Sequence, residues 1–185
     1  RSNDGRADPQ GGFWIGTMGI NAEDSAGAIY RYYRGELRQL YSKITISNAI
    51  CFAPDGTTAY FTDTPTQKIM RVTLDAEGWP KGAPDLHIDL SGTDFRPDGA
   101  VVDAAGNLWN AQCGAGRAAG YTDEGRFIAA YDLPPRQTSC PAFGGPKLQT
   151  LFCTSAAVGL TGPDEGKTCA IETDIIGQSE HQVIL

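Results

Sequence analysis

Asp103-Ala104-Ala105-Gly106-Asn107-Leu108-Trp109-Asn110-Ala111 is a turn built on Asp and Gly that runs into a short apolar and aromatic strand. The same pattern stands at Asp8-Pro9-Gln10-Gly11-Gly12-Phe13-Trp14-Ile15-Gly16 and at Pro54-Asp55-Gly56-Thr57-Thr58-Ala59-Tyr60-Phe61-Thr62. A weaker copy is Gly144-Gly145-Pro146-Lys147-Leu148-Gln149-Thr150-Leu151-Phe152. Counted on Gly11, Gly56, Gly106 and Gly145, the steps are 45, 50 and 39 residues. A period of roughly 40–50 residues is that of a β-propeller blade, a four-stranded antiparallel sheet.

The intervening segments agree. Ala28–Tyr33 and Leu37–Tyr41 are rich in aromatic and branched residues and flank Arg34-Gly35-Glu36, which reads as a hairpin. Lys68–Leu74 and Phe127–Tyr131 read as strands beside Asp/Gly turns, and no long segment carries a 3.6-residue period. The expected class is all-β, a β-propeller of about four blades, with a β-sandwich as the alternative architecture.

The chain has 185 residues, 41% of them hydrophobic and 20% charged, which suits a single globular unit over 1–185. With 22 Asp+Glu against 15 Lys+Arg, the net charge of −7 opposes binding to nucleic acid or an anionic membrane. No apolar run reaches the roughly 18–20 residues of a membrane span. Arg1 opens the chain with neither Met nor an apolar leader, so the sequence reads as beginning inside a domain.

Cys51, Cys113, Cys140, Cys153 and Cys169 are odd in number and lack a CxxC pair. They read as buried free thiols of a reducing, cytoplasmic compartment. His87 and His181 are the only histidines and both read as structural. With no G-x-S-x-G elbow, serine or cysteine nucleophilic catalysis is not expected. Hydrolysis here would rest on carboxylates and a metal. Gly114-Ala115-Gly116-Arg117-Ala118-Ala119 mimics a dinucleotide fingerprint but leads into a turn rather than a helix. Gly162–Thr168 is one residue short of a phosphate loop and carries Pro and an acidic pair.

Propeller strands converge on a central channel, so residues just ahead of the repeat can meet at one ligand. Three clusters qualify: Arg1, Asn3 and Asp4; Asn48 in Ser47-Asn48-Ala49-Ile50; and Asp98 in Pro97-Asp98-Gly99. They precede Asp8, Asp55 and Asp103 by five, seven and five residues. Asp55 and Asp103 read as turn residues, and Asp63 as either a channel residue or a cap. Asn and Asp oxygens suit hard cations, and a cation in a channel polarises a carbonyl while a nearby carboxylate acts as base.

These residues resemble the regucalcin (senescence marker protein)/gluconolactonase family of six-bladed propeller lactonases. The likeness rests on Arg1–Pro9 with Trp14-Ile15-Gly16-Thr17-Met18, on Ile46–Ile50, on Pro97-Asp98-Gly99 with Leu108-Trp109, and on Thr138–Gly145, spread over positions 1 to about 160. The resemblance implies metal-dependent hydrolysis of a sugar lactone to its acid, with one divalent cation (Ca²⁺, Zn²⁺, Mn²⁺ or Mg²⁺). It places metal ligands at Asn48 and Asp98, the general base at Asp98, and sugar contacts at Arg1 and Asn3 with Asp4 close by. The family's ligand Glu, from its first blade, has no counterpart here, so the N-terminal blades are expected to be missing. The acidic substrate contact of the regucalcin branch of the family falls on Asn21, beside Glu23 and Asp24, so the substrate preference of that branch does not carry over. Alternatives are a calcium- or ligand-binding propeller without turnover, and an inactive fragment.

Overall fold

The computed structural model describes residues 1–185. The first sheet holds β1 (Ser2–Ala7), β2 (Phe13–Thr17), β3 (Gly27–Tyr33) and β4 (Glu36–Ile44). The second holds β5 (Ser47–Phe52), β6 (Thr58–Asp63), β7 (Lys68–Thr73) and β8 (Asp85–Asp89). The third holds β9 (Arg96–Val102), β10 (Leu108–Cys113), β11 (Arg117–Tyr121) and β12 (Phe127–Asp132). The fourth holds β13 (Gln137–Gly144), β14 (Thr150–Ala156) and β15 (Cys169–Glu172). Each sheet is an antiparallel meander in chain order, and the first strands β1, β5, β9 and β13 pack against one another in sequence. This is a four-blade propeller arrangement, not a sandwich. No helix is long and apolar enough to cross a membrane.

The repeat is the β1–β2 type of hairpin. In the first blade the Gly11 N–H donates to the Asp8 carbonyl, and Gly56–Ala53 and Gly106–Asp103 repeat that bond. Gly11, Gly56 and Gly106 all sit at positive φ, between 71° and 90°, where a Cβ is unfavourable. In the fourth blade the equivalent residue is Leu148 (φ 54°), whose N–H donates to Gly145, so the copy is offset by three residues from the expected Gly145. Asp103 shows why the turn wants Asp. Its Oδ1 accepts the Ala105 and Asn107 N–H groups, and its Oδ2 accepts Asn107 Nδ2 and the Trp109 indole N–H at 3.0 Å. Asp103→Ala would strand the buried Trp109 indole N–H and undo the turn's bonds to Ala105 and Asn107, and is expected to cost about 2–3 kcal/mol, read by urea unfolding. Asp55 caps Thr57 in the same manner.

The core lies between blades, and the two-residue period of the inner strands assigns it. On β5, Ile50 and Phe52 point toward the first blade and join Trp14, Ile29, Phe61 and Val72. Ala49 and Cys51 point the other way and join Tyr60, Ile69, Ala100, Val102 and Leu108. On β9, Val101 turns to Trp109, Phe143 and Leu151 of the third and fourth blades. Burial on both faces explains the unbroken apolar run Ala49–Phe52, in which every residue is buried. The expected hairpin closes through Arg34 and Gly35, both at positive φ, as a tight two-residue turn requires. The dinucleotide mimic is the β10–β11 turn followed by strand β11.

Candidate functional site

The turns give the inner strands a common count. Asn3, Asn48, Asp98 and Cys140 each stand five residues before the turn-opening residue, which is Asp8, Ala53, Asp103 and Gly145 respectively. The offset of seven expected for Asn48 arose from counting to Asp55; the true counterpart of Asp8 is Ala53. Four successive blades therefore present the same position of their innermost strand. The ladder is also irregular at each of these places, between Ser2 and Gly5, Asn48 and Cys51, Pro97 and Ala100, and Thr138 and Pro141. Such bulges re-aim a side chain out of the pleat. Ala49, beside Asn48, holds φ 54°, a strained value for a residue with a Cβ.

An innermost strand has a backbone edge with no strand partner, and side chains of neighbouring blades satisfy it. Asn3 Nδ2 donates to the Ser47 carbonyl at 2.9 Å and to Asn48 Oδ1 at 3.1 Å. Asn48 Nδ2 donates to Thr64 Oγ1, which donates on to the Pro97 carbonyl at 2.8 Å. A chain of hydrogen bonds thus joins Asn3, Asn48 and the strand that carries Asp98. Asn110 Nδ2 donates to the carbonyls of Asp98 and Gly99. Asp4 Oδ2 accepts the Ile50 N–H at 2.8 Å and Oδ1 accepts its neighbour Gly5 N–H. Asp4 thereby anchors the first blade to the second. Arg1 is exposed, and its backbone pairs with Met18.

Asp98 is the carboxyl with the most altered chemistry. Burial pushes it up, the charge of Asp4 pushes it further, and the Gly99 N–H only partly opposes them, leaving it at about 7. Asp4 is also raised by burial, against its bonds to Ile50 and Gly5 and the Arg6 charge. Asp98 has no cationic side chain among the groups that act on it, and its repulsion with Asp4 is one that a cation would relieve. The oxygens of Asn48 and Asp98 fit such an ion as hard donors, and Asn48 Oδ1 keeps a lone pair beyond its bond from Asn3. No group of three His, Cys, Asp or Glu side chains stands together as a ready-made metal site.

Cys140 is the residue that reading the sequence missed. The residue as a whole is exposed, but its sulfur is turned inward, where a Cβ on Gly99 would lie 2.9 Å from it. Burial of the sulfur and the charges of Asp4 and Asp98 push the thiol up to about 11, with Arg6 opposing. The signal was the Thr138–Gly145 motif, whose turn is offset from the glycine used for counting. All five cysteines are free, with Cys51 and Cys153 buried and Cys113 and Cys169 partly so. Asp63 proves to be a cap, accepting the Thr45 and Ile46 N–H groups. His87 is buried against the Tyr60 ring with neither ring nitrogen bonded, and burial lowers it to about 4. Asn21 and Glu23 bond each other on the surface, and Asp24 accepts the Thr45 hydroxyl.

Fold and channel define a propeller whose polar inner-strand positions face one another across blades. The chain belongs to the SMP-30/Gluconolactonase/LRE-like family, whose model matches residues 1–157. It is 48% identical over 187 residues to the "Putative sugar lactone lactonase" of Rhizobium meliloti (strain 1021), covering 97% of this chain and 64% of that protein. It is 37% identical over 157 residues to the 6-deoxy-6-sulfogluconolactonase of Pseudomonas putida, covering 84% of this chain and 54% of that protein. Among solved structures it resembles a calcium-binding protein, regucalcin, from Agrobacterium tumefaciens, with TM-score 0.96 and 44% identity over 100% of this chain and 65% of that one. The chain thus spans between about half and two thirds of the length of these relatives.

Proposed function

We propose that the protein hydrolyses a sugar lactone to its acid with the help of one divalent cation, of which Ca²⁺, Zn²⁺, Mn²⁺ and Mg²⁺ are the candidates. The carrying observation is the set Asn3, Asn48 and Asp98 at one shared position of three consecutive inner strands, with the Asp98 carboxyl near neutrality. The names of the relatives support the lactone as substrate class. Asn48 and Asp98 would hold the cation, which would supply polarisation of the lactone carbonyl.

Asp98 is the proposed base. Without a cation, burial and the Asp4 charge hold the Asp98 carboxyl near 7; beside the cation it would be ionised and placed to take a proton from an attacking water. Asn3 is held toward Asn48, so its amide orients sugar hydroxyls beside the same point. Arg1, exposed at the head of β1, would bind the sugar from the channel mouth, with Asp4 below it. The proposed unit is a propeller region over 1–185 of a cytoplasmic protein whose partner is a small sugar lactone rather than nucleic acid or membrane.

Acid release from aldonolactones, followed in a pH-stat with the full-length protein, tests the reading. Activity should vanish in EDTA and return with one of the four cations. Retained cation affinity without hydrolysis of any lactone would favour the second reading, a cation-binding propeller, which the calcium-binding relative supports.

A further inference from the structure

Asp4 and Arg6 are two residues apart on β1 and reach the same residue of the neighbouring blade, Ile50. The Ile50 N–H goes to Asp4 Oδ2, and the Ile50 carbonyl accepts Arg6 Nε at 3.1 Å. Arg6 Nη2 donates to the Ala100 carbonyl of β9 at 3.0 Å. Only Nη1 meets a carboxylate, and that carboxylate is Glu180 on the C-terminal segment after β15. The guanidinium is therefore drawn to the far side of Ile50, although Asp4 sits two residues away and Asp98 faces the same channel.

The segment that carries Glu180 is fixed on both sides. Gln178 Nε2 donates to the Phe52 and Val102 carbonyls, the last residues of β5 and β9, and the Ile184 N–H donates to the Gly11 carbonyl. Gly177 bridges Asp103. Residues 178–181 close over Arg6, Cys51, Phe52 and Val102, leaving a void of only about 10 Å³. The likeness to the Agrobacterium protein covers the whole chain, this segment included.

We infer that Glu180 is a positioning residue for the channel, holding the Arg6 guanidinium on the Ile50 and Ala100 carbonyls so that its charge does not close on Asp4 and compete with a cation held at Asp98. The inference rests on the cation-dependent reading above. Without Glu180, Asp4, whose charge already acts on Arg6, is the remaining carboxylate beside a guanidinium that has lost its own partner. A swing of Arg6 toward Asp4 brings a fixed positive charge closer to the point where the cation binds.

The test is a double-mutant cycle in the full-length protein, with Ca²⁺ and Mn²⁺ affinity measured by calorimetry and Tm measured in EDTA. Glu180→Gln should weaken cation binding about tenfold, the effect of one competing charge contact. Adding Arg6→Met to Glu180→Gln should bring the affinity back to within about twofold of Arg6→Met alone, because the competing cation is gone. A purely structural role would leave the double variant as weak as Glu180→Gln, or weaker. That result overturns the inference, as does a Glu180→Gln protein with unchanged affinity. If Glu180→Gln does not fold, Glu180→Asp keeps the charge with a shorter reach and should show a partial loss. A wild-type protein that binds the cation but hydrolyses no lactone sinks the lactonase reading and leaves this inference standing. A wild-type protein that binds no cation sinks both.

Discussion

Asp98→Asn should abolish lactone turnover and, in EDTA, should make the protein more stable at pH 8. Both effects come from one side chain. As a base it contributes on the order of 10²–10⁴ in rate, and losing a cation ligand adds to that loss, so residual kcat should fall at least a thousandfold. The stability gain follows from linkage. The folded-state carboxyl is raised from 3.8 to about 7, so between those values the folded chain holds a proton that the unfolded chain has released. Stability therefore falls as pH rises from about 4 to about 7 and stays low above it. The difference is roughly 3 pH units, worth about 4 kcal/mol at about 1.4 kcal/mol per unit. The amide does not ionise, so urea titrations from pH 4 to 8 should show the wild-type decline flattened in Asp98→Asn. A divalent cation should restore wild-type stability and leave the variant unmoved. An unchanged pH slope in the variant would sink the assignment of Asp98 as the strained carboxyl of the channel.

Asp8→Ala should be the most damaging substitution for folding. Asp8 Oδ2 accepts Arg31 Nε at 2.6 Å, and both side chains are 0% exposed. Asp8 Oδ1 also accepts the Gln10 and Gly12 N–H groups of the first blade's turn. The guanidinium lies between the rings of Tyr33 and Trp79, at 4.4 and 4.3 Å, and Nη2 donates to the Glu77 carbonyl of the second blade. One buried pair thus ties a turn of the first blade to the β7–β8 turn of the next. Removing Asp8 leaves a buried cation with no counter-charge, a defect of about 3–5 kcal/mol. For a chain of this length that is a fall in Tm on the order of 10 °C. Asp8→Ala combined with Arg31→Met removes both charges and should cost less than the two single losses added together. Strict additivity in that cycle, or a loss under about 1 kcal/mol for Asp8→Ala, would show that the pair is not the anchor its geometry describes.

Much of the site could be read in the chain because its residues sit beside a repeat. Asn3 and Asp98 each precede an Asp-containing turn by the same count, and Asn48 does so once Ala53 takes the place of Asp55. Cys140 was hidden because the fourth blade turns at Leu148 rather than at a glycine, so its register is visible only in the hydrogen bonds. The sequence places Asp4 beside Arg1 and Asn3 by neighbourhood, but not the bond by which its carboxylate reaches the second blade. Glu180 was invisible for another reason. It is 174 residues from Arg6 in sequence, and no periodicity connects a strand of the first blade with a segment after the last.

The sequence by itself determined the class of blade, the turns that open it and the polar residues that precede them. Those are local matters, set by the left-handed tolerance of glycine, the capping reach of Asp and the two-residue period of strands. Only the tertiary structure decided which backbone groups of each inner strand lack a strand partner and which distant side chain satisfies them. That choice depends on the packing of blade against blade, where Asp4, Arg6 and Gln178 meet carbonyls and N–H groups they could not have found along the chain. The same packing removes water from Asp98 and brings Asp4 near it, and so makes an ordinary Pro-Asp-Gly sequence a carboxyl poised near neutrality.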